Sequence, residues 1–295
     1  MSLYSLLPIY LRGIAMGAAD IVPGVSGGTM ALILGIYSRL IHSLRSLARR
    51  PFLEALLGGR PARAFELVDG AFLLALAAGI ATSVLLLSRL LSSLLEARPV
   101  FIYAFFFGLV LASVLLVGRR IRRVTASRWA LFALGAAGAY LLVGLTPANT
   151  PDAGWFLFIC GAVAVSALLL PGISGAFVLV LLGKYDYVLG AITNGDFAAL
   201  TTVGAGVVVG LLSFTQVLGW LFRKYRDATL ALLCGVMLGS LRKVWPWQTE
   251  SEGLLVNLPP SSIWSHQDGA AWALLLAVAG AALVTLLDLG SENAD

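Results

Sequence analysis

The chain has 295 residues, of which 59% are hydrophobic and 12% charged, with a mean hydropathy of +0.93 and a net charge of +5. A soluble domain is nearer half apolar and a quarter charged. This composition therefore excludes a soluble globular protein and indicates an integral membrane protein, for which no nucleic-acid partner is expected.

Apolar runs at 71–88, 100–117, 129–145, 198–222 and 270–287 have the length of bilayer crossings. The alternation of a membrane β-barrel is absent, so the crossings are read as helices. At the N-terminus no Lys or Arg precedes the apolar part and Arg12 interrupts it, which does not fit a signal peptide. Residues 8–41 form an apolar stretch broken by "ADIVPGVSGGT" at 19–29. Its arms, 8–20 and 29–41, hold thirteen residues each. Such an arm spans about 20 Å, short of the roughly 30 Å hydrocarbon core. The pair is expected to be a re-entrant hairpin, whose turn is tolerated inside the membrane only where protein or a watery cavity satisfies the backbone. Spans at 70–94, 99–118 and 128–146 follow. A second broken pair at 155–193, carrying "LLLPGISGAF", precedes spans at 198–222, 228–244 and 270–289. The connections 42–69 and 243–269 are too short to build a soluble core. Cys160 and Cys234 fall in apolar segments, so neither a disulfide nor a metal site is expected.

The two breaks are copies. An offset of 148 pairs Gly13 with Gly161, Pro23 with Pro171, Ser26 with Ser174, Gly35 with Gly183 and Tyr37 with Tyr185. A weaker echo at an offset of 131 pairs Gly79 with Gly210 and Gly108 with Gly239. Two repeats follow, 1–146 and 147–295, each a hairpin plus three spans. A hairpin returns to its own side and three spans then cross, so the second repeat starts on the opposite face. The expected fold is an all-α polytopic membrane protein with an inverted-topology repeat. Placing both termini in the cytoplasm puts fifteen Lys and Arg inside, including the cluster Arg119, Arg120, Arg122, Arg123 and Arg128, and five outside: Arg89, Arg98, Lys184, Arg242 and Lys243. Trp245, Trp247, Trp264 and Trp272 flank the outer loop as interfacial anchors. Inverted repeats with broken helices around a central site are secondary-transporter architecture.

A Pro-Gly-Ser turn that starts a helix exposes backbone N–H groups at the positive end of a dipole, and its glycines let an oxyanion approach. The candidate anion-binding residues are Gly24, Ser26, Gly27, Gly28 and Thr29 in the first turn, and Gly172, Ser174 and Gly175 in the second. Such a site suits a phosphate or carboxylate. Small residues also serve close helix packing, which is the reading for Gly13-x-x-x-Gly17. Asp20, three positions before Pro23, is an intramembrane carboxylate and hence a functional candidate. Three roles are open to it: proton carrier, partner of a basic residue, or cap on the turn's N–H groups. Arg12 and Arg39 read as interfacial, and Arg89 and Lys184 as candidates for an outer phosphate-recruiting rim or for ordinary headgroup contact.

On "GIAMGAADIVPGVSGGTMALILGIY" (13–37) and "LLLPGISGAFVLVLLGKYDYVLGAI" (168–192), the chain resembles the polyprenyl-phosphate transporter family of bacterial and archaeal membrane proteins. The span layout extends the likeness over most of the chain. The resemblance implies return of undecaprenyl phosphate, a C55 carrier lipid of envelope synthesis, from the outer to the cytoplasmic leaflet of the cytoplasmic membrane, with no cofactor. It implies a substrate path between the hairpins, which here maps to Asp20, Ser26, Ser174 and the motif glycines. Protons as a coupling ion are a further use for Asp20. The second motif has Ala176 and Phe177 where the first has Gly28 and Thr29, which favours the first as the phosphate cradle.

Two rivals use the same letters. A small-anion channel or secondary carrier would exploit the same helix ends, and would need a continuous hydrophilic pore. "GVSGG" fits the G-x-S-x-G of a serine nucleophile, but a serine protease needs a base within reach. His42 and His266 both fall outside the mid-membrane helices, and Lys184 falls near the outer face.

Overall fold

The computed structural model describes residues 3–22, 24–148, 150–251, 254–258 and 269–292; Pro23, Trp264 and His266 lie outside them. The first apolar stretch folds as α1 (Leu3–Ile21), α2 (Gly27–Ile33) and α3 (Tyr37–Ser46). Two short helices, α4 (Arg50–Leu57) and α5 (Pro61–Leu67), occupy the basic connection before α6 (Gly70–Ala97), α7 (Pro99–Arg119) and α8 (Ala126–Leu142). The second stretch gives α9 (Gly154–Leu169), α10 (Gly175–Leu181) and α11 (Tyr185–Asn194), followed by α12 (Phe197–Lys224) and α13 (Arg226–Ser240). A two-stranded antiparallel ribbon, β1 (Gln248–Ser251) and β2 (Leu254–Asn257), stands before the last helix, α14 (Ala270–Glu292).

Helices α6, α7, α12 and α14 are long and apolar enough to cross a membrane, and α10 with α11 adds a fifth span if that bent pair is taken as one. They fall on four of the expected spans. The other two expected spans, 128–146 and 228–244, become helices of only 17 and 15 residues, about 25 and 22 Å long. Gly144 and Pro147 follow the end of α8, and the charged Arg226-Asp227 pair opens α13. The second arm of each break also differs from the expected single helix. After the seven residues of α2 the chain turns at Gly35 (φ +73°), and after the seven of α10 it turns at Gly183 (φ +62°). Glycine adopts that left-handed backbone without the strain another residue would carry. The result is a 105° bend between α10 and α11.

Four helix pairs organise the bundle: α1 on α6, α9 on α12, α7 on α14, and α8 on α13. Hydrocarbon offers no hydrophobic drive for helices to associate, so they hold by close backbone packing at small residues. Each pair has glycine at its seam. A methyl group added at Gly79 would fall 2.9 Å from Gly13 Cα, and at Gly206 3.1 Å from Phe158 Cα. At Gly108 it would fall 2.7 Å from Ala277 Cα, and at Gly239 2.8 Å from Tyr140 N. Ion pairs tie the arginine-rich end: Arg120 with Asp288 of α14, Arg128 of α8 with Asp227 of α13 at 3.5 Å, and Arg39 of α3 with Asp69 at 2.6 Å. The most deeply buried side chains, among them Val22, Val25, Tyr37, Phe72, Met237 and Val244, surround the first turn and α2.

The seams predict a contrast between two glycines. Gly79→Val overpacks the α1–α6 contact, at a cost of about 1–3 kcal/mol or more. Gly138 on α8 has nothing within 4 Å, so Gly138→Val leaves stability nearly unchanged. Thermal unfolding in detergent should show a lowered Tm for the first variant alone.

Candidate functional site

The two recurring motifs fold alike. Gly24 and Gly172 take φ of +90° and +89°, and the serines that follow, Ser26 and Ser174, stand extended at the N-caps of α2 and α10. Their surroundings differ. In the first turn the amides that open α2 already have acceptors. Gly27 N–H donates to Asp20 Oδ1 (2.6 Å), and Gly28 N–H donates to Ser26 Oγ (3.1 Å). The amides of Thr29 and Met30 reach the Ser26 carbonyl. Ser26 and Thr29 are fully buried, whereas Asp20 is exposed. The geometry thus puts Asp20 in the capping position, its carboxylate where an anion at the start of α2 would sit. In the second turn Ser174 makes no side-chain cap bond, and Ala176 beside it is exposed.

The turns are bonded to one another. Gly172 N–H donates to Thr29 Oγ1 (2.8 Å) in a buried contact, Ser26 Oγ reaches the Leu170 carbonyl (3.4 Å), and Tyr37 OH donates to the Leu169 carbonyl (2.7 Å). Three hydroxyls on the first motif therefore serve the backbone where α9 ends and the second turn begins. Such partners are what helix-free backbone needs when water is excluded. Both turns also rest on the end of α13. A methyl group on Gly172 would lie 2.9 Å from Met237 Cα and from Ser240 Oγ, and one on Gly24 would lie 2.7 Å from Lys243 Cγ.

The basic candidates are scattered. Arg39 is paired with Asp69 and lies 4.4 Å over the Phe72 ring. Lys184 is buried, its ammonium bonded to Asp152 (2.6 Å) and to the Thr150 carbonyl (2.8 Å). Arg89 is exposed on the second half of α6, and Arg12 lines a groove beside Leu34 and Leu286. Among the described residues, none of these four has a hydrogen bond or ion pair to a turn.

The basic pair at the turns is Arg242-Lys243, which sequence reasoning counted only as charge in an outer loop. Lys243 runs past Gly24 and carries its ammonium 5.0 Å from the ring of Phe177, the residue that replaces Thr29 in the second motif. The signal available in the sequence was a basic pair directly after an apolar run, at the end where basic residues are scarce. Ser26, the residue a protease reading needs, spends its hydroxyl on Gly28 N–H and the Leu170 carbonyl.

A sequence family described as VCA0040-like, undecaprenyl phosphate translocase-like, matches residues 16–257. A Vibrio cholerae serotype O1 protein named polyprenyl-phosphate transporter is 42% identical over 301 residues, covering 97% of each chain. A Staphylococcus aureus protein of the same name is 33% identical over 254 residues, covering 80% of this chain and 85% of its own. No solved structure matches the chain. The motif residues 24–29 and 172–175, with α2 to α13 around them, lie within the matched region, and the chain belongs to the undecaprenyl phosphate translocase-like family.

Proposed function

We propose that this chain carries a polyprenyl phosphate, undecaprenyl phosphate or a close relative, from the outer to the cytoplasmic leaflet of a bacterial or archaeal cytoplasmic membrane. Both named relatives are polyprenyl-phosphate transporters. The observation that carries the reading to these residues is the bonded pair of turns, joined by Thr29 Oγ1 and Gly172 N–H at 2.8 Å. Two non-helical backbone segments from distant parts of the chain meet beside an exposed carboxylate and a lysine. An ionised Asp20 in a bilayer would need water, and hence a polar opening at the first turn. The lipid's phosphate follows that opening, while its tail stays in hydrocarbon outside the helices.

The two-repeat reading supports the same function. Exchanging the halves turns the α1–α6 pair into α9–α12 and the α7–α14 pair into α13–α8, and all four contacts occur. In the inverted arrangement, 1–146 and 147–295 enter from opposite faces, with the arginine-rich end and both termini in the cytoplasm. Inward flux runs downhill when the carrier is released outside and consumed inside, and this is how spent carrier is recycled. Protonation of Asp20 would remove the negative charge now set against the Gly27 amide at the start of α2, which is the route by which protons would couple to the cycle. No chemical step on the substrate is required.

Binding tests the substrate. Purified protein should bind a long polyprenyl phosphate more tightly than the matching alcohol or inorganic phosphate, and Ser26→Ala should weaken that binding while Asp20→Asn retains the cap. Equal binding of the free anion would point instead to a small-anion carrier. The turn pair gives a second expectation. Thr29→Val leaves the buried Gly172 amide without an acceptor, a loss of about 1–3 kcal/mol. Thr29→Ser should restore both stability and lipid-phosphate transport, as read by unfolding and by vesicle assay.

A further inference from the structure

Between the end of α8, the outer half of α10 and the segment that follows α13 lies a cavity of about 480 Å³. Its apolar wall includes Leu145, Phe177 and Val180, and its polar wall is Arg242, Lys243, Gln248 and Asn257. The two cations are held in place. The Arg242 guanidinium donates to the Tyr140 carbonyl (3.0 Å) and stacks 4.5 Å over the Tyr140 ring. Gly144 leaves it room, since a methyl group there would fall 2.6 Å from Cζ. The backbone beneath the pair is fastened by the β-ribbon: Asn257 donates to the Arg242 carbonyl (2.8 Å) and Gln248 to the Lys243 carbonyl (3.3 Å). Neither cation has a carboxylate partner among the described side chains, whereas Arg39, Arg120, Arg128 and Lys184 each have one.

Tyr140 connects this cavity to a second, almost wholly apolar groove of about 400 Å³ along the α8–α13 seam, where Ala136, Ala137, Leu238 and Gly239 form a shallow floor. Two cations with no carboxylate partner among the described side chains, beside an apolar groove, match one ligand chemistry: a monophosphate head on an isoprenoid-like tail. Arginine and lysine give charge-assisted bonds to phosphate oxygens, and small residues on the seam admit a branched chain.

We propose that this cavity is the site at which the phosphate head of the lipid is first held, on Arg242 and Lys243, with the proximal tail in the α8–α13 groove. The inference rests on the transporter reading and deepens it, because it adds a loading site distinct from the paired turns. Lys243 links the two, since its stem crosses Gly24 and its ammonium lies against Phe177 of the second motif.

The test uses the full chain in lipid nanodiscs, with a long-chain polyprenyl monophosphate, the matching alcohol and inorganic phosphate as probes. The double variant Arg242→Gln/Lys243→Gln should lose at least about tenfold in affinity for the lipid phosphate and none for the alcohol. Unchanged lipid-phosphate affinity in that variant, with the unaltered protein binding tightly, overturns this site and leaves the transporter reading standing. Failure of the unaltered protein to prefer the lipid phosphate overturns both. Inorganic phosphate bound as tightly as the lipid would make the cavity a free-phosphate site and overturn the lipid assignment. A photoreactive polyprenyl phosphate on the unaltered protein covers the case in which the variant does not fold. Labelling within 140–147 and 177–181 supports the site, and labelling confined to the arginine-rich end overturns it.

Discussion

Backbone that leaves a helix within a bilayer must find its hydrogen-bond partners inside the protein, and in this chain the two broken helices find them in each other. Thr29 accepts from Gly172, and Tyr37 donates to the Leu169 carbonyl (2.7 Å). Those contacts fix how the first turn meets the second, and hence where α9 and α2 lie. The glycine seams then set the spacing of the surrounding helix pairs. Val22, Val25 and Met237, all fully buried, pack around the junction. Loosening the junction would therefore affect both halves together, and a transport cycle has to act on it.

The first turn closes itself. Asp20 and Ser26 occupy the donors that a bound anion would use, so in this conformation the helix start is capped by the protein's own carboxylate. The second turn has no such cap, and the Lys243 ammonium lies 5.0 Å from the ring of its Phe177. This asymmetry comes from three substitutions between the copies. Leu168 stands where the first copy has Asp20, Ala176 where it has Gly28, and Phe177 where it has Thr29. The recurring motif thus appears once with its helix start capped by side chains and once without. Arg242 and Lys243, which line a cavity beside the turns, suit the approach of a phosphate to the uncapped turn.

Much of this was legible in the letters. The paired motifs announced themselves because proline, glycine and serine have no ordinary place in apolar helices, and the spans at 70–94, 99–118, 198–222 and 270–289 stood out by hydropathy alone. The bends at Gly35 and Gly183 were harder to see: apolar residues continue past Gly35 into Ile36 and Tyr37, and the Lys184 and Asp186 that follow Gly183 interrupt the apolar run without marking a 105° change of direction. Lys184 shows the limit of reading charge by position. In sequence it is an outer-face cation, yet its neutralising partner Asp152 comes from a segment that only the tertiary fold brings near. Arg242 and Lys243 erred in the opposite sense, as loop charges whose proximity to Gly24 and Phe177 depends on the return of the chain from α13. Local pattern reports what a residue is; only the fold reports which charges are already paired.

Leaflet-resolved transfer of a labelled polyprenyl phosphate in vesicles carrying the purified protein would test the central claim most directly. The account predicts protein-dependent movement of the phosphate between leaflets, while a phospholipid bearing the same label stays in place. Movement of every labelled lipid at one rate, or release of trapped inorganic phosphate with no movement of the polyprenyl phosphate, would contradict it.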